Sequence, residues 1–364
     1  MKVCFVIESM FNSGGMENVL SFCASALCKD IDVSILTLCQ NEKKYYFSLS
    51  EIIRCYDLAL NNVANRRLVE MRIKDFFHSH SFDIIVSLGG IDMYYIHSIK
   101  DGSKKVVWFH FAYDVAYTVW LGKSPSFLKK AKGYLQHLKR IINARKYDKI
   151  VVISSADKKA WGKCSNKVVL IYNPVTIANP IISDRQNKSV IAVGRLDYAK
   201  GFDLLINAWR FVLQKHSDWI LDIYGEGELR EQLQKQIDEL NLSRSIFLRG
   251  RTTNMADVYS RYSLYVMSSR SEALGLVLLE ASVCGLPLVA YDCPFGPRDI
   301  IDNGKNGILV EKVGDIEGLA EAINKLIESP TLRSQMGECA IQMVEKFSLF
   351  NIKKEWLQLF KETL

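Results

Sequence analysis

The chain has 364 residues, 49% of them hydrophobic and 24% charged, which excludes a disordered or fibrous protein and fits two α/β domains with real cores. Its nine cysteines form an odd set with no C-x-x-C pair, and several sit in or beside apolar runs. That pattern argues against a disulfide framework or zinc site and for buried thiols in a reducing compartment.

In chain order, MKVCFVIESMFNSGG reads as a first β-strand and its glycine loop, not as a signal peptide. VCFVI (3–7), DVSILTL (32–38), DIIVSLG (83–89), KVVWFH (105–110), KIVVIS (149–154) and VVLIY (168–172) are short β-branched runs of the kind that form buried parallel strands. MENVLSFCASALCKD, between the first two, has apolar positions at helical spacing, so the chain opens with the βαβ unit of a doubly wound sheet. NPVTIANPIISDRQNK (173–188), with two prolines and a polar tail, reads as a linker. The pattern then restarts with SVIAVG, WILDIYG, SIFLRG, LYVMSS, LPLVAYD and GILV, separated by helical stretches. The expected organisation is an N-terminal Rossmann-like domain over 1–172, a linker over 173–188 and a second such domain over 189–345. A C-terminal helix over 346–364 is expected to pack back on the first domain. No stretch approaches about 18 uninterrupted apolar residues, so a cytoplasmic protein is expected.

Net charge is +7 and unevenly spread: residues 1–180 hold 25 Lys and Arg against 15 Asp and Glu, with the excess concentrated between Lys100 and Lys167. An anionic partner for the N-terminal half follows. The densest stretch, SFLKKAKGYLQHLKRIINARKY (126–147), puts Phe127, Leu128, Ala131, Tyr134, Leu135, Leu138, Ile141 and Ile142 on one helical stripe. Lys129, Lys130, Lys132, Lys139, Arg140, Arg145 and Lys146 border it. Such a helix either packs its stripe inward and leaves a solvated basic face, or lies on an anionic lipid surface. No recognition motif accompanies the charge, so a nucleic-acid partner is not expected.

The strongest chemical signal is SEALGLVLLEASVCGLPLVAYD. Its helix is almost continuously apolar yet carries Glu280, and a buried carboxylate needs hydrogen-bond donors such as a ribose diol or a sugar hydroxyl. Glu272 lies eight residues earlier, in the loop feeding the helix N-terminus, where free N–H groups and the helix dipole favour a phosphate.

On these residues the chain resembles the retaining, GT-B-fold glycosyltransferases called family 4. Glu272 and Glu280 match their Glu-x7-Glu motif, and VGRLDYAKG matches their G-R-L…K-G motif with Gly194, Arg195, Lys200 and Gly201. YGEGELR (224–230), NGKNGILVEKVGD (303–315) and the N-terminal SGGMENVL are also similar. The resemblance touches residues 1–20 and most of 149–330. It implies two Rossmann-like domains with parallel sheets facing a central cleft, the C-terminal one for the nucleotide sugar and the N-terminal one for the acceptor. It further implies that Glu272 contacts the donor sugar and Glu280 the ribose, and that Arg195 and Lys200 bind the diphosphate leaving group. Backbone N–H groups at Leu276, Val277, Gly14 and Gly15 would complete the cradle.

His110, at the C-terminal tip of a strand, matches a histidine that faces the donor sugar in many members. The other histidines, His78, His80, His97, His137 and His216, show no ligand spacing. Asp30-Ile31-Asp32 spells the D-x-D string of metal-dependent transferases, but it precedes a strand on the edge opposite the site. The donor site is therefore read as free of metal and cofactor. YDCPFGPRDII (291–301) resembles the variant in transferases for bacterial surface polysaccharide, lipopolysaccharide and lipid-linked oligosaccharide. The resemblance thus implies a UDP-hexose or UDP-N-acetylhexosamine donor and a lipid-linked or lipopolysaccharide acceptor. It also implies peripheral binding to the inner face of the cytoplasmic membrane. The alternatives are a sugar phosphorylase, a nucleotide-sugar epimerase and a non-catalytic scaffold; the last is disfavoured because all four charged site residues are present.

Overall fold

Short runs of Val, Ile and Leu flanked by helices bury both faces of a parallel sheet, and the chain builds two such sheets. The computed structural model describes residues 1–61, 63–115 and 126–364. Described residues up to Thr176, together with Phe347–Leu364, form one unit; Ile177–Lys346 form the other.

In the first unit β1 (Lys2–Ile7), β2 (Asp32–Thr37), β3 (Arg54–Asp57), β4 (Ile84–Ser87), β5 (Lys104–Trp108), β6 (Lys149–Val152) and β7 (Val168–Leu170) make a parallel sheet in the order β3-β2-β1-β4-β5-β6-β7. The sequence reading misses β3: it is an edge strand, largely exposed, and its Arg-Cys-Tyr-Asp has no apolar run. The helix Leu349–Thr363 belongs to this unit and buries Trp356 and Phe360. Trp356 meets Trp108 at 4.7 Å and Phe5 at 6.2 Å, centroid to centroid. Fully burying side chains of this kind contributes about 1.5–3 kcal/mol each.

In the second unit β8 (Ser189–Val193), β9 (Ile220–Tyr224), β10 (Ile246–Gly250), β11 (Leu264–Met267), β12 (Leu288–Tyr291) and β13 (Gly307–Val310) are parallel in the order β10-β9-β8-β11-β12-β13. Residues 177–188, expected within the linker, are bound into this unit. Arg185 Nη1 donates to Gly285 O at 2.9 Å, Ser183 Oγ donates to Tyr262 O, and Arg333 returns a bond to Arg185 O. Prolines and polar residues mark irregular backbone, but irregular backbone is not always a free tether.

The order reverses between β1 and β4 in one sheet and between β8 and β11 in the other. Ligands bind at the carboxyl ends of strands at such switch points. Asp92 lies just beyond β4 and is 1% exposed, with no hydrogen-bond partner for Oδ2 among the described residues. Burial, reinforced by the charge of Glu8, pushes its carboxyl up to about 7. The unfolded chain therefore loses this proton first as pH rises, and the carboxyl's contribution to stability falls between about pH 4 and 7. Asp92→Asn is expected to raise Tm at pH 8 and change it little at pH 4, as thermal unfolding at both would show. A lower Tm at pH 8 would mean that ionised Asp92 stabilises the fold.

All nine cysteines are free, five of them buried. Asp30 pairs with Lys353, and Asp32 Oδ2 lies 3.5 Å from Arg54 Nη1. Among the described residues no cluster of His, Cys, Asp and Glu could hold a metal ion, and no helix is long and apolar enough to cross a membrane.

Candidate active site

The second unit's switch point is built from the two loops that leave β8 and β11. In the β8 loop Gly194 has no Cβ, so the Lys200 stem lies against it; an added Cβ would sit 3.2 Å from Lys200 Cγ and Cδ. Asp197 accepts the Lys200 N–H at 3.2 Å and starts the tight turn Tyr198–Lys200. Gly201 then takes φ +64° to enter the helix Phe202–Lys215, and any side chain there would collide with Ser268 O. The β11 loop is stapled to this turn. Arg270 forks onto Asp203 with two bonds of 2.7 Å, donates to Tyr198 O and stacks 4.2 Å over the Tyr198 ring. Its own N–H reaches Ala199 O at 2.7 Å, and Ser268 Oγ reaches Lys200 O at 3.0 Å.

That framework brings Lys200 and Glu272 together. Lys200 Nζ is 2.6 Å from Glu272 Oε1, which also accepts from Ser269 Oγ at 2.6 Å. The Glu272 side chain is 8% exposed and that of Lys200 22%. Three residues on, Gly275 at φ +90° starts the helix Leu276–Val283, whose first N–H groups, at Leu276 and Val277, have no acceptor within the helix. The loop before it is buttressed by the PFGP segment, where Gly296 packs on the Leu274 backbone and Arg298 binds Asp292.

Glu280 is half-buried on this helix, and Tyr259 OH donates to its Oε2 at 3.2 Å. Tyr265, fully buried, sits in the field of both carboxylates and donates to Val193 O at 3.3 Å; burial, then those charges, hold its phenol well above the ordinary range. Sequence reasoning misses Ser269, Tyr259, Tyr265 and the Arg270–Asp203 fork. Arg195 stands apart from the pair: it reaches solvent, 73% exposed, with Nε 2.6 Å from Asp197 Oδ2.

The remaining candidates lie in the first unit. Gly14 caps the helix Gly15–Leu27 in extended conformation, and a Cβ there would strike the carboxylate of Glu17. Glu17 is buried, which pushes its carboxyl up, so this helix start already carries an acidic side chain. His110 follows β5 with its ring 4.3 Å from Trp108; Nε2 is enclosed with no hydrogen-bond partner among the described residues, and burial pushes the ring down to about 3. It is a neutral imidazole at physiological pH.

Residues 177–343 match the family model described as Glycosyl transferases group 1. An uncharacterized glycosyltransferase of Haemophilus influenzae is 27% identical over 366 residues, covering 98% of each chain. A Campylobacter jejuni α-1,4-N-acetyl-D-galactosaminyltransferase named for a diNAcBac-PP-undecaprenol-linked substrate is 24% identical over 378 residues, 100% of this chain and 99% of that one. Among solved structures, Staphylococcus aureus TarM, crystallised with Fondaparinux, α-GlcNAc-glycerol and UDP, superposes with a TM-score of 0.82 at 18% identity, over 99% of both chains. The two parallel-sheet Rossmann-like domains are those of the GT-B fold, and the protein is a glycosyltransferase.

Proposed function

We propose that the protein transfers a hexose or N-acetylhexosamine from a UDP-sugar to a lipid-linked oligosaccharide or lipopolysaccharide acceptor, with retention and without a metal. The acceptor class follows that of the Campylobacter relative. Work on such an acceptor places the enzyme on the inner face of the cytoplasmic membrane.

The observation that carries this reading is the Lys200–Glu272 pair in the loop that leads into the helix start at Leu276 and Val277. When the bond from the anomeric carbon to the diphosphate breaks, negative charge grows on the departing oxygen. A fixed cation and a helix N-terminus stabilise that charge. Arg195, paired with Asp197 and largely in solvent, can swing to join them. Glu272 accepts from donor-sugar hydroxyls and Glu280 from the ribose. Gly14 and Gly15 remain candidate phosphate contacts. A diphosphate there would meet the Glu17 carboxyl, which burial pushes up from its ordinary range. His110 offers its Nε2, without a partner among the described residues, to a sugar hydroxyl. The acceptor hydroxyl loses one proton as its bond to the anomeric carbon forms, and UDP leaves with the opposing charge.

Incubation of a nucleotide-sugar panel with a polyprenyl-diphosphate oligosaccharide, reading UDP release and the product's anomeric coupling by NMR, tests the proposal. Release with UDP donors, an axial product from an axial donor and activity in EDTA are expected. An inverted product would overturn retention. A strict need for Mn²⁺ would overturn the metal-free site.

A further inference from the structure

We infer that the outward face of the helix Phe127–Ala144 is a docking surface for an anionic lipid bilayer. This rests on the reading of a membrane-borne acceptor and names the surface that would bring the enzyme to it. An ordinary surface helix turns its apolar stripe to the core. This one does the reverse. Gly133, His137, Arg140, Asn143 and Ala144 are buried, whereas Phe127, Leu128 and Leu135 are 82%, 79% and 65% exposed, and Tyr134, Leu138 and Ile142 are exposed beside them.

Arg140, expected among the solvated cations, is instead what fixes this orientation. The residue is 5% exposed, and its guanidinium lies 4.2 Å over the Phe109 ring and donates to Ala112 O at 3.0 Å and to Phe111 O at 3.1 Å. Asn143 adds a bond of 2.9 Å to His97. Turning the stripe inward would strip a buried charge of its partners, so the helix is held apolar side out.

Charge decides what covers this face. Lys129, Lys130, Lys132, Lys139, Arg145 and Lys146 are all exposed on the flanks, and no Asp or Glu occurs between Ser126 and Lys146. An apolar ridge of Phe, Leu, Tyr and Ile between rows of lysine matches acyl chains below anionic headgroups. A second copy of the same face would bring like charges together.

Flotation with vesicles of phosphatidylglycerol and phosphatidylethanolamine, free of acceptor, tests the surface. Wild-type protein should float with these, not with phosphatidylcholine alone, and should dissociate in 1 M salt. Replacing Lys129, Lys130, Lys132 and Lys139 with Gln should weaken partitioning by two to three orders of magnitude, at roughly fivefold per cation. The triple variant Leu128→Ser, Leu135→Ser, Ile142→Ser should also release the protein. UDP affinity, measured in parallel, should be unchanged in both and reports on folding and on the donor site. Failure of the wild type to float at low salt would overturn the inference, as would release by the lysine variant alone. A concentration-dependent dimer in sedimentation velocity that the serine variant abolishes would assign the face to a second copy. None of these results would bear on sugar transfer, which is read by product analysis.

Discussion

Lys200→Met is expected to lower kcat by on the order of 10²–10³, the scale of removing one preorganised donor from a developing oxyanion, while KM for the nucleotide sugar rises much less. The ammonium is partly sheltered and is held at 2.6 Å from Glu272 by two loops tied together through Arg270, Ser268 and Asp197. A cation fixed before the reaction needs no reorganisation as the diphosphate departs, so its effect falls on the transition state. Removing it also takes one of two hydrogen-bond donors that Glu272, 8% exposed, has among the described residues, leaving Ser269, which destabilises the fold. The double variant Lys200→Met, Glu272→Gln separates the two effects: Tm should recover and kcat should not. Arg195→Met should cost less, because its exposed guanidinium must leave Asp197 before it can act. Initial-rate kinetics with the best donor decide the matter. A change confined to KM would reduce Lys200 to a ground-state binding group.

Much of this arrangement is legible in the sequence, for reasons particular to each element. Strands such as Cys4–Val6 and Val289–Tyr291 are buried on both faces, so they read as continuous apolar runs. β3 is an edge strand without that run and leaves no such signal. Glu272 and Lys200 stand out through their motifs, but their contact spans 72 residues and comes from the adjacency of β8 and β11. Ser269, Tyr259 and Tyr265 are ordinary residue types, and only the fold shows that they line the two carboxylates. The helix Phe127–Ala144 is the instructive case. Periodicity identifies its apolar stripe but not the direction in which it faces, because the anchoring side is polar: His137, Arg140 and Asn143 are buried through an edge-on ring contact with Tyr113, a cation–π contact with Phe109 and hydrogen bonds to loop carbonyls and His97.

Glu280→Ala is expected to weaken UDP binding by about 1–3 kcal/mol, the scale of a hydrogen bond to a charged group plus the cost of leaving its partners unmatched. At 1.4 kcal/mol per tenfold, that is a loss of roughly five- to 150-fold in Kd. Glu280 is half-buried, and its Oε2 takes the Tyr259 hydroxyl. In the alanine variant Tyr259, wholly buried, loses that acceptor as well, so stability should fall along with affinity. Glu280→Gln separates the two losses. It still offers a carbonyl oxygen to Tyr259 but no longer a charge to the ribose, so its Tm should stay near wild type while UDP affinity drops. Tyr259→Phe supplies the converse, keeping the carboxylate while removing its positioning bond, and should cost UDP affinity less than Glu280→Gln does. Isothermal titration with UDP alone, alongside thermal unfolding, reads all three variants. If UDP affinity is unchanged in Glu280→Gln, the carboxylate serves the helix and Tyr259 rather than the nucleotide, and the ribose must find its acceptor elsewhere on the second unit.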